Sequence, residues 1–230
     1  MERRAFLRAS ALSVGGLGAF AAGAPTASAA NPLRVQVLMF DGVEEQDWAA
    51  PVEVLGMAAG MSGGAVTTAL VGTGGPGTVT GNFGARVEVP TGWSPDRADV
   101  LVVPGGGRYT EQAGPGVRRL MADRAFLRRL ADADVLHAGI CTGVMVLAAA
   151  GLTRGRNATT HTVAKPDLAA LGTTVVDARV VDDGDLVTGG GVTSGLDVAL
   201  WLVERFLGAR LAQRVETIIE YERRGTVWRV

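Results

Sequence analysis

From residue 34 onward, short runs of β-branched and other apolar residues alternate with segments whose apolar positions recur every three or four residues. Residues 34–40 read as a strand, and 47–60 as a helix with Trp48, Val52, Leu55 and Ala59 at helical spacing. A second strand covers 65–71. It is followed by a glycine-rich loop at 72–76 and a hairpin over 79–89 that turns at Gly81-Asn82. Residues 99–103 form a buried strand ending in Pro104-Gly105-Gly106-Gly107. Residues 116–133 predict one amphipathic helix, with Leu120, Met121, Leu127 and Leu130 inward and a row of arginines in solvent. The apolar run 135–140 then turns through Cys141-Thr142-Gly143 into an apolar helix. Residues 173–177 and 179–188, the latter broken at Asp183-Gly184, predict short strands or a hairpin, and 193–207 and 209–223 predict closing helices.

Strands alternating with helices imply an α/β fold, a mostly parallel sheet covered on both faces. In such sheets, sites lie at the carboxyl ends of the strands. Phe40-Asp41-Gly42, the Pro104 to Gly107 run and Gly139-Ile140-Cys141 all occupy such ends. There is no internal repeat and no low-complexity tract after the N-terminal segment.

Residues 1–29 stand apart from this pattern. Arg3-Arg4-Ala5-Phe6-Leu7 fits a twin-arginine export signal, a Gly/Ala-rich apolar stretch follows, and Ala27-Ser28-Ala29 is a small-x-small cleavage site. The apolar stretch is shorter than the roughly 20 residues that span a bilayer, so no stable membrane association is expected after cleavage. The expected mature protein, residues 30–230, is a single domain, periplasmic or extracellular. Cleavage leaves 19 basic against 22 acidic residues, a formal charge of −3 in place of −1. That balance argues against a nucleic-acid partner. Cys141 is the only cysteine, so no internal disulfide can form.

The setting of Cys141 is that of a nucleophile. A strand bent sharply into a helix pushes the turn residue outward, and the helix N-terminus behind it favours a thiolate. The expectation is a thiol both exposed and activated. Free cysteine is also a common buried hydrophobe, but the glycines flanking Ile140-Cys141-Thr142 fit a tight, close-approach turn. The Gly105 to Gly107 run lacks the spacing of a phosphate loop. It reads either as a plain tight turn or as an oxyanion hole, in which the Gly106 or Gly107 N–H acts with that of Thr142. His137, inside an apolar strand, reads as a core residue, and without further ligands near Cys141 no metal site is expected.

These residues resemble the DJ-1/PfpI, class I glutamine amidotransferase-like superfamily, and within it the isonitrile hydratase branch. The stretches carrying the resemblance run from Val37 to Val54, Leu101 to Gly107, Gly139 to Gly143, Ala148 to Leu152, Ala158 to His161 and Val187 to Asp197. The resemblance implies a flavodoxin-like three-layer sandwich, a homodimer, Cys141 at a nucleophile elbow, and an acid projecting toward it from the segment after the first strand. Asp47 matches that acid. Glu44, Glu45 and Glu53 are read as surface charge. Family members with a peptidase dyad carry histidine after the cysteine, whereas this chain carries Thr142, which cannot serve as a base at neutral pH. Cys-Thr is the hydratase pattern. His161 lies on a loop that relatives bring near the site, where it either assists Cys141 or lines the pocket.

The expected function is therefore cofactor-independent hydration of an isonitrile to an N-substituted formamide, a lyase reaction on a small molecule. Cys141 would be the nucleophile, Asp47 the acid and base, and Thr142 would hold one of them. A glyoxalase- or deglycase-like reaction on a reactive carbonyl, and an exported thiol sensor or binding protein, are the alternatives.

Overall fold

The computed structural model of this chain describes residues 27–111 and 114–230. The expected export signal lies outside the described residues as far as residue 26.

An eight-stranded sheet runs through the middle of the molecule in the order β12-β10-β11-β7-β6-β1-β2-β5. Its strands are β1 (Leu33–Met39), β2 (Val66–Gly72), β5 (Thr91–Gly92), β6 (Val100–Val103), β7 (Leu136–Ile140), β10 (Val180–Asp182), β11 (Leu186–Gly189) and β12 (Trp228–Arg229). All neighbours pair parallel except β10 and β11. Two small sheets lie apart from it. One is the antiparallel hairpin β3 (Gly77–Thr80) and β4 (Arg86–Val89), and the other pairs β8 (Asn157–Ala158) with β9 (Thr174–Val175).

The period of two along the central strands sorts their side chains onto the two faces. Val35, Val37, Val100, Val102, Leu136, Ala138 and Ile140 join one core with α1 (Glu45–Met61), α6 (Ser194–Leu207) and α7 (Ala209–Ile218). Leu38, Leu101 and Val103 join the other, with α2 (Val117–Ala122), α3 (Arg124–Ala131), α4 (Gly143–Ala149) and α5 (Lys165–Ala170). The result is the expected three-layer α/β sandwich.

Two helices and the C-terminal segment differ most from the sequence reading. The single helix expected over 116–133 is two, because Asp123 leaves helical geometry and caps α3, accepting from the Ala125 and Phe126 N–H groups at 3.0 and 2.9 Å. The last helix stops at Ile218 rather than running to 223. Beyond it Glu220 takes a left-handed φ of 49°, and the chain crosses back to add β12 to the sheet. Buried Asp197 ties this strap down, accepting from the Tyr221 hydroxyl (2.9 Å) and the Arg224 N–H (2.9 Å) while paired with Arg179 (2.7 Å).

Candidate active site

Ile140 ends β7, Cys141 makes the turn, and α4 begins at Gly143. Cys141 has φ 56°. For a residue with a side chain that conformation costs about 1–2 kcal/mol, and the surroundings must hold it in place. Two bonds do so: the Cys141 N–H donates to the Gly189 carbonyl (3.2 Å), and the buried Thr160 hydroxyl donates to the Cys141 carbonyl (2.7 Å). The turn also requires Gly143, where a Cβ would strike the Val103 and Pro104 carbonyls.

Asp47, in the first turn of α1, is fully buried. Its Oδ2 accepts the Gly105 N–H at 2.8 Å, while Oδ1, equally buried, has no hydrogen-bond partner. Gly105 is held to glycine by this contact, since a Cβ there would lie 2.6 Å from Thr142 Oγ1 and 2.8 Å from Asp47 Oδ2. Thr142 Oγ1 in turn accepts the Gly106 N–H at 3.2 Å. Asp47, Cys141 and Thr142 therefore come together beneath the Pro104 to Gly107 loop.

The electrostatics of this group differ from the sequence expectation. Cys141 is only 5% exposed. Burial pushes its thiol well above the ordinary range, and the nearby Asp47 adds to the shift, outweighing the Thr142 N–H and hydroxyl that pull the other way. The resting thiol is thus buried and protonated, not exposed and ionised, because α1 and the glycine loop close over the elbow. Burial also pushes the Asp47 carboxyl up to about 8, against the Gly105 hydrogen bond. Burial thus favours the protonated form of both groups.

Both glycine amides named for an oxyanion hole already have acceptors. The Gly106 N–H is spent on Thr142, and the Gly107 N–H donates to the Gly42 carbonyl at 2.7 Å. The amide beside the sulfur is that of Thr142.

His161 is half-buried, and its Nδ1 accepts the Val163 N–H at 3.2 Å. This bond occupies the Nδ1 acceptor. His161 reaches the elbow through its neighbour Thr160. His137 is a core histidine, 5% exposed, with burial lowering its pKa to about 4. Among the described residues, no group of three His, Cys, Asp or Glu side chains is placed to hold a metal, and no helix is long and apolar enough to cross a membrane.

Two contributors went unread in the sequence. Thr160 lay inside a recognised segment, but its bond to Cys141 depends on a loop folding back across nineteen positions of chain. Glu44, read as surface charge, is half-buried. It accepts from Asn82 Nδ2 at 3.1 Å, and its charge raises the pKa of both Asp47 and Cys141.

Comparison with known proteins follows the same lines. Residues 33–205 match the model of the DJ-1/PfpI family. Isonitrile hydratase of Pseudomonas putida is 36% identical over 193 residues, 82% of this chain and 78% of that protein. The deglycase PH1704 of Pyrococcus horikoshii is 35% identical over 115 residues, 49% of this chain and 66% of that one. Among solved structures, a ThiJ/PfpI family protein from Pseudomonas syringae superposes with a TM-score of 0.72 at 25% identity, covering 93% of this chain and 84% of its own. Drosophila melanogaster DJ-1beta gives 0.71 at 25%, covering 84% of this chain and all of its own. With its elbow, its buried acid and a match across most of its length, this chain belongs to the DJ-1/PfpI family.

Proposed function

We propose that this protein hydrates an isonitrile to an N-substituted formamide. The observation that carries the reading is the fully buried Asp47, one carboxyl oxygen unpartnered, at the Cys141 elbow, followed by Thr142 where a peptidase dyad would need histidine. The similarity to isonitrile hydratase supports it.

The isonitrile carbon must gain both a proton and a nucleophile, and a neutral pair supplies both. Asp47 delivers its proton from Oδ1 to that carbon while the Cys141 sulfur bonds to the same atom, and the thiol proton passes to the Asp47 carboxylate. The product is a thioimidate, with the Asp47 proton restored. Water then adds to the thioimidate carbon, one of its protons going to nitrogen and the other to the departing sulfur, with Asp47 relaying. The C–S bond breaks and the formamide leaves. The Thr142 N–H and hydroxyl steady the sulfur through both steps. Every atom is accounted for by substrate, water and this chain.

Incubating the protein with an aromatic isonitrile and following formamide by mass spectrometry tests the reading, with Cys141→Ala as control. Cysteine-dependent formamide supports it, and formamide formed equally by Cys141→Ala overturns it. A second reading, a glyoxalase- or deglycase-like reaction on a carbonyl such as methylglyoxal, draws on the partial similarity to deglycases. Cysteine-dependent lactate from methylglyoxal, with no formamide from an isonitrile, would favour it. We further propose export by the twin-arginine route with cleavage after Ala29, and a homodimer in solution. Cell fractionation with N-terminal sequencing tests the first, and sedimentation tests the second.

A further inference from the structure

Away from the elbow, a cavity of about 490 Å³ opens at the carboxyl ends of β1 and β2, walled by the glycine-rich loop 72–77. The glycines of this loop do not all have a structural reason. At Gly72 a Cβ would meet the Gly75 carbonyl, so that position must be glycine. Gly74 and Gly75 are different. Neither has a left-handed φ, and a Cβ on either would meet nothing within 4 Å. Glycine there exempts the fold from no clash and no strain, and costs conformational entropy. A side chain at either position would enter open space beside the cavity.

The other walls have definite chemistry. Phe40 and Leu120 supply an apolar side. Arg119 lines the cavity, and among the described residues its guanidinium makes no ion pair or side-chain hydrogen bond. Asp41 and Asp123 also line it. Each uses Oδ1 on backbone, Asp41 for the Thr80 N–H at 3.0 Å and Asp123 for the α3 cap. One open cation and two carboxylates around an apolar patch do not suit a simple anion, because the local charge is net negative. They suit a molecule carrying both charges. Its carboxylate would meet Arg119, its ammonium the carboxylates of Asp41 or Asp123, and an apolar side chain Phe40 and Leu120.

We propose that this cavity is a binding site for a small zwitterion with an apolar side chain, of the α-amino-acid class, separate from the Cys141 site. It stands whether or not the protein hydrates isonitriles.

Titrating the full chain with L-leucine, followed by calorimetry and by thermal shift, tests the site. The two half-ligands 4-methylpentanoate and 3-methylbutylamine serve as probes of each charge alone. Leucine is expected to bind and raise the melting temperature, with both half-ligands weaker by at least about tenfold. Gly75→Val, which fills open space, and Arg119→Gln, which removes the cation, should each lose that binding while melting like wild type without ligand. Leucine binding unchanged in both variants places it elsewhere and overturns the proposal. So does either half-ligand binding as tightly as leucine, or the absence of binding by all three probes.

Discussion

The Gly105 N–H donates to Asp47 Oδ2 at 2.8 Å and leaves Asp47 Oδ1 buried without a partner. One oxygen is fixed by the backbone, and the other is left open. In a site this dry an unpaired carboxylate oxygen is costly, and protonation is the cheapest remedy. The same burial that favours the acid form also favours the protonated thiol, as the proposed concerted transfer requires.

If the acid form of Asp47 is the active one, turnover should fall as pH rises through about 8, where that proton is lost. Glu44 helps hold the proton by its negative charge. Glu44→Gln, which can still accept from Asn82, should move the alkaline limb of the kcat profile to lower pH while leaving its plateau largely intact. A limb unmoved by this substitution would show that Glu44 exerts no field at the pair.

Asp47→Asn should abolish turnover and stabilise the fold. The carboxyl has its ordinary pKa near 3.8 when unfolded and about 8 when folded, so the folded state binds the extra proton across that window. Stability from this group is full below pH 3.8 and declines as pH rises toward 8. Asparagine, neutral throughout, escapes that decline. The variant should match wild type near pH 4 and exceed it by about 4 kcal/mol near pH 7.5, measured by urea denaturation.

His137 gives the opposite slope. Its pKa is about 4 in the folded chain, against 6.5 when unfolded, so the unfolded state takes up the proton first as pH falls. Stability should be full above pH 6.5 and drop by about 2–3 kcal/mol on the way to pH 4. The buried imidazole meets the Leu130 carbonyl; His137→Asn keeps a donor for it but does not titrate. Its denaturation midpoint should vary less with pH across this window, whatever its absolute stability.

The architecture was legible where periodicity is strong. β1, β6 and β7 are apolar runs buried on both faces, and α1 and α6 carry helical spacing. The two-residue strands β5, β8 and β12 are too short to carry a pattern, and they exist because a neighbouring edge supplies hydrogen bonds. Asp123 is indistinguishable in sequence from a solvated helix residue until its side chain is seen folded back on the Phe126 N–H. At the site, the glycines around Cys141 announced the elbow, because a tight turn leaves a compositional trace. Burial of the thiol leaves none. It depends on how closely α1 and the Pro104 to Gly107 loop close over Cys141, and that closeness is written in distant residues such as Gly105.

Thr160 offers the sharpest separation of positioning from chemistry. Its hydroxyl touches the Cys141 carbonyl and not the reacting sulfur, and both residues are buried, so removing it leaves a carbonyl unpaired at a residue already held at φ 56°. Thr160→Val preserves shape and should cost about 1–3 kcal/mol of stability. Freed from one of its two tethers, Cys141 can relax toward ordinary backbone geometry and draw its sulfur away from Asp47. Turnover should then fall at least about tenfold with KM little changed, since binding groups are untouched while the reacting atoms lose alignment. Thr160→Ser, which retains the hydroxyl, should recover most of the rate. Equal loss in the serine and valine variants would mean that packing of the methyl group, and not the bond to Cys141, is what the elbow requires.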